Sequence, residues 1–162
     1  MTIRIPAYAA EIYDTLKEDP EVIKMRGFAC HGGISVYDHS LSVAKMACRI
    51  ANMFHMRPER YGRIVQGGLL HDFYGYDYHG CRTKMGGWHA WRHPERALDN
   101  ARRLLRTDRR LDNVIRAHMF PGTLFHMPVC SEAWAVNLAD KICSVLEYLH
   151  ITACADAVIM PA

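Results

Sequence analysis

The stretch "GGLLHDFYGYDYHG", residues 67–80, decides how this chain is read. An apolar helical run ends in His71 and Asp72, side by side. A buried imidazole and a buried carboxylate each cost free energy without a partner. Adjacent residues on a helix diverge by about 100°, and an apolar stripe is about that wide. Both side chains can therefore reach the interior, at the two edges of the stripe laid down by Tyr61, Ile64, Val65 and Gly68. Something inside the protein has to satisfy both.

Neighbouring segments carry the same signature. In the helix expected over 36–55, Val43, Met46, Ala47, Ile50 and Phe54 form an apolar stripe, and His39 lies on it four residues before Val43. Asp38, Ser42, Lys45 and Arg49 mark the opposite face. Asp108 is positioned to cap a helix over 109–119, where Leu111, Val114 and Ile115 lead to His118. Ser131 is positioned to cap a nearly all-apolar helix ending near Leu149, which carries Asp140 four residues after Val136. His93 precedes Pro94, the expected start of a helix reaching to about 106. Each residue alone has an ordinary reading as a hydrogen-bonded core group. Together they are four inward histidines and two inward aspartates on five segments, with no basic residue on those stripes. A cation would satisfy the whole set.

The rest of the chain bounds this reading. Its 162 residues suit one domain, half of them are apolar, and the formal charge is only +3. Helical periodicity dominates and no alternating strand run stands out. A first helix is expected over 6–18, a short second one over 20–27, a turn at "CHGG" (30–33), and a helix from Pro58 to about Asp72. Residues 73–92 read as a loop rich in Gly, Tyr and His, and the apolar tail to Ala162 as a segment that packs back or mediates association. The start lacks a secretion signal, and no run approaches the roughly 18 apolar residues of a membrane helix, so a cytoplasmic protein is expected. Six scattered cysteines without a CxxC pair read as reduced thiols. "RRLLRTDRR" (102–110) reads as a solvated helix end; without interleaved aromatic residues it argues against nucleic acid.

"YDHSLSVAKMA" with His39, "GGLLHDF" with His71 and Asp72, and "NLADKICS" with Asp140 resemble the HD-domain superfamily of metal-dependent phosphohydrolases. The likeness covers roughly residues 30–150. It implies a compact, single-domain all-α bundle of five or more helices around a metal site. Those four residues match the superfamily's minimal single-metal set. His93, 22 residues after His71, and His118, 25 after His93, match the places where many members hold a second metal. By that resemblance His39, His71 and Asp140 would hold one ion, His93 and His118 the other, and Asp72 would bridge them. His89, four residues before His93, is the alternative ligand.

Nitrogen and oxygen donors without thiolate suit Mn, Fe, Co, Ni or Zn, one or two ions, with Mg possible. The chemistry expected is hydrolysis of a small phosphate monoester or nucleotide. Lys141, Arg82, Lys84, Arg92 and Arg26 are the candidate cations to assist Asp72, and His79, His89 and His126 the candidate proton donors. Members with the same six ligands also include diiron oxygenases, and a non-catalytic binding module is the third reading. Tyr74, Tyr76 and Tyr78 are placed to line a pocket of either enzyme.

Overall fold

A computed structural model describes residues 1–76, 89–151, 154 and 156–162, with only the backbone described at His31, His89 and Ala90. The fold is all-α, as the periodicity and the resemblance predict. In chain order the helices are α1 (Ala7–Lys17), α2 (Pro20–Ile23), α3 (Val36–Met53), α4 (Tyr61–Leu70), α5 (His89–Leu104), α6 (Arg109–Arg116) and α7 (Ser131–Tyr148). Short 3-10 turns cover Lys24–Gly27, His31–Gly33 and Pro58–Arg60.

The core is α3 packed against α4 and α7, with α1 and α6 closing its sides. Ser35 caps α3 by accepting from the Asp38 N–H at 3.1 Å. Val43, Ala47 and Ile50 are buried on its inner face. Phe54 departs from the expected stripe: it lies past the end of the helix and is exposed. Gly67 and Gly68 let α4 come unusually close to its neighbours. A Cβ on Gly67 would lie 2.2 Å from Val114 Cγ1, and one on Gly68 2.6 Å from the Ala44 Cα. The two glycines that open the deciding stretch are therefore packing positions, seated directly beneath His71.

Several boundaries differ from expectation. α5 begins at His89, so Pro94 lies inside the helix instead of opening it. α4 ends at Leu70 and α6 at Arg116, which leaves His71, Asp72 and His118 on the turns that follow. α7 has Cys130 at its N-cap and Ser131 as its first helical residue. Asp108 caps α6 as expected, accepting from the Arg110 and Leu111 N–H groups at 3.1 and 2.9 Å.

The main addition is a two-stranded parallel sheet that the sequence reading missed. Strand β1 (Thr2–Ile5) pairs with β2 (Val158–Pro161), with Ile3 opposite Ile159. Ile3 and Ile5 are buried, and the apolar tail packs back onto the N-terminus. Four residues are too few to display a period of two, and the partner strand lies at the other end of the chain. No helix among the described residues is long and apolar enough to cross a membrane.

Candidate metal centre

α3, the ends of α4 and α6, α5 and α7 deliver the six side chains to one place. His39, His71, His93 and His118 are buried, and Asp140 is 7% exposed. His39 Nε2 lies 3.3 Å from His71 Nε2 and 3.3 Å from Asp140 Oδ1. His71 Nε2 is 3.8 Å from the same Asp140 oxygen. On the other side, His93 Nε2 and His118 Nε2 stand 2.8 Å apart, and Asp72 Oδ1 is 3.3 and 3.4 Å from them. Asp72 Oδ2 is 3.7 Å from His71 Nε2. Asp72 thus presents one oxygen to each histidine pair. Two groups of donors result, His39–His71–Asp140 and Asp72–His93–His118, each compact enough to hold one ion.

The imidazole tautomers decide what such a cluster wants. The Nδ1–H of His71 donates to the Gly68 carbonyl at 2.9 Å, and that of His118 to the Ile115 carbonyl at 2.7 Å. The Nδ1–H of His39 donates to Glu147 at 2.8 Å. With Nδ1 protonated and bonded outward, the neutral rings of His71 and His118 turn an Nε2 lone pair inward. Nitrogens facing each other this closely, beside carboxylates, need a cation between them. Donors bound to one ion at about 2.0–2.1 Å stand roughly 3 Å apart, which is the spacing found. Asp72 Oδ1 is also buried without a hydrogen-bond partner. On both counts the donor set fits a divalent transition metal.

The electrostatics point the same way. Burial pushes the His118 imidazole down to about 3, with nearby His93 adding to the effect. Burial also lowers His71, against the pull of Asp72 and Asp140. Both rings therefore stay neutral and available as ligands at neutral pH. Burial opposes ionisation of Asp72, but His71, His93, His118 and His39 outweigh it and hold the carboxyl below its ordinary range. Asp140 is likewise held well below that range, by the hydrogen bond from His39 and by His71 and Lys141, against burial. For His39, burial is overcome by Asp140 and Glu147, and its pKa rises well above the ordinary value.

Two features were missed. Glu147 is buried behind His39 and orients its ring. Its position seven residues after Asp140, two turns along one helix face, is the signal that could have found it. Cys30 is buried, with its thiol close enough to His39 and Asp72 to form a third possible grouping with them. Of the candidate cations expected from the sequence, Lys141 does lie at the centre: its Nζ donates to Asp140 Oδ2 at 2.8 Å and to the His118 carbonyl at 2.6 Å.

The other candidates scatter. Arg26 stacks on the Tyr37 ring at 4.5 Å. His126 pairs with Glu95 at 3.0 Å. Arg92 is exposed near the start of α5. Arg82, Lys84, His79 and Tyr78 lie outside the described residues, and of His89 only its backbone place at the start of α5 is known. Tyr74 is buried edge-on to His93, ring centroids 5.9 Å apart, and Tyr76 stacks at a tilt on Tyr74. Of the basic run, Arg102 pairs with Asp112 and Arg110 with the buried Glu132.

No significant match was found among curated proteins or among solved structures. The family model described as HD domain matches residues 36–144, a span that begins with α3 and ends on α7 and includes all six converging side chains. The chain belongs to the HD domain family.

Proposed function

We propose that this protein is a metal-dependent hydrolase of a small phosphate ester, a monoester or nucleotide. The observation that carries the reading is the convergence of four histidine Nε2 atoms on two aspartates, those of His39 and His71 on Asp140 Oδ1 and those of His93 and His118 on Asp72 Oδ1. Membership of a family made up generally of metal-dependent phosphohydrolases supports it. His39, His71 and Asp140 would hold one ion and His93, His118 and Asp72 a second. A divalent ion bound there would supply Lewis-acid and water-activating chemistry for phosphate-ester hydrolysis.

The protein's own part is positional and electrostatic. The outward Nδ1–H bonds of His39, His71 and His118 fix the rings so that their donors are in place before substrate arrives. Lys141 spends two of its protons on Asp140 and the His118 carbonyl, while its side chain is 40% exposed. Its third proton faces outward, where it attracts and orients a phosphate oxygen. This cation beside the centre is what favours an anionic substrate over the oxygenase reading.

The test is phosphate release from a panel of monoesters and nucleotides. The metal-reconstituted chain is compared with Asp72→Ala. Release by the native chain, abolished in the variant, is the expected result. A folded, metal-loaded chain that releases no phosphate from any member but consumes oxygen would overturn the hydrolase reading.

A further inference from the structure

A cavity of about 370 Å³ lies beside the centre but shares no lining residue with its six side chains. That volume falls within the roughly 300–1,000 Å³ of small-molecule sites. Its apolar floor is Met25, Phe28, Phe73, Tyr74 and Leu104, and its rim carries Arg96 and Arg103 from α5. The floor is fixed rather than improvised. Asn100 donates from Nδ2 to the Phe73 carbonyl at 2.8 Å, and the turn at Gly75 has φ of 73°, a conformation suited to glycine. A Cβ at Gly75 would also lie 3.3 Å from that Asn100 nitrogen.

The charge on the rim is not internally balanced. Lys24 is paired with Glu21 at 2.6 Å. Arg96 and Arg103 form no ion pair among the described residues. Glu95, next to Arg96, faces Arg116 at 2.8 Å and His126 at 3.0 Å instead. The two arginines are seven residues apart, so they stand on one face of the helix about 10 Å apart along its axis. Two unpaired guanidinium groups over three aromatic residues define a ligand with an anionic end and a flat ring system. Planar bases of any sequence stack on such rings.

We propose that this cavity is a second ligand site, taking a nucleoside monophosphate: the base against Phe28, Phe73 and Tyr74, the phosphate on Arg96 and Arg103. Tyr74 forms part of the wall and packs its ring against His93, so the bound ligand sits one ring away from the metal centre. The site is independent of turnover.

The test is therefore made in a chain that cannot turn over. Binding of AMP, GMP, CMP and UMP to the full chain and to Asp72→Asn is measured by isothermal titration calorimetry. At least one should bind Asp72→Asn with a Kd below about 1 mM. The triple variant Asp72→Asn/Arg96→Ala/Arg103→Ala should raise that Kd at least tenfold. Both arginines are exposed, so the fold is expected to survive, and circular dichroism checks it. Failure of all four to bind, or a Kd that ignores the two arginines, would overturn the proposal. So would a Kd that rises tenfold on Asp72→Asn alone, since the ligand would then sit on the metal centre. None of these outcomes bears on whether the centre hydrolyses phosphate esters.

Discussion

His39, His71 and Asp140 come from α3, the end of α4 and α7, the three helices that make the core. His93 and His118 come from α5 and from the turn after α6, at its side. Behind the first group stand Glu147, the Gly68 carbonyl and Lys141. Behind the second, the Ile115 carbonyl holds the His118 ring, Asn137 and Lys141 donate to the His118 backbone carbonyl, and the Tyr74 ring packs on His93. The donors are alike, and their supports are not. A ligand held by a core helix and a buried hydrogen-bonding partner is preorganised; one on a peripheral element depends more on the ion itself. The first group should therefore bind its metal more tightly than the second.

The largest effect tests what the halves share. Asp72→Ala removes the residue that faces both, and should strip metal and cut activity by roughly 10³-fold or more, while helix content by circular dichroism holds. Full metal content in that variant would separate Asp72 from the centre. Next, Gly68→Ala should destabilise the chain by about 1–3 kcal/mol, read from chemical denaturation, because the new Cβ meets backbone of α3 and not a side chain that can swing aside. On propensity alone, alanine in a helix gains about 1 kcal/mol over glycine. A more stable variant would show that the approach of α4 to α3 is not tight.

The remaining predictions separate the two groups. His118→Ala should lose one equivalent of metal and spare the other; loss of both, or of neither, would break the division. Glu147→Gln keeps the shape but weakens the partner of His39, and should lower metal affinity about 10–100-fold in the first group alone. Smallest is the pH response of the metal-free chain. His118 is depressed to about 3, so the unfolded chain takes up its proton first, and this residue costs stability as pH falls from about 6.5 towards 3. His39 is raised, so its contribution is present below the unfolded pKa and is lost as pH climbs through the folded one. Denaturation midpoints of chelated native and His118→Asn chains between pH 4 and 7 should diverge on the acid side, the native chain losing more.

The same contrast governs what the sequence could reveal. Long amphipathic helices announce themselves by period, so α3, α4 and α7 were legible, and so were the polar residues lodged on their inward faces. His93 was harder, because Pro94 imitates a helix start while the helix begins at His89. Glu147 escaped because a glutamate near a helix end reads as solvated, although its spacing from Asp140 matched the face. Cys30 sits on a turn with no period to orient it. The strands escaped because each is four residues long and their pairing joins the two ends of the chain. The cavity beneath α5 gathers residues from three separate segments, and no local pattern brings Phe28 to Phe73.

The central claim is that six side chains form one two-ion centre, and its most direct test is elemental mass spectrometry. The chain should be purified without a metal-binding tag or chelator, then reconstituted with Mn, Fe, Co, Ni or Zn. The account predicts two equivalents of metal per chain in the native protein and one in His118→Ala. A folded native chain that holds no metal after reconstitution would contradict it.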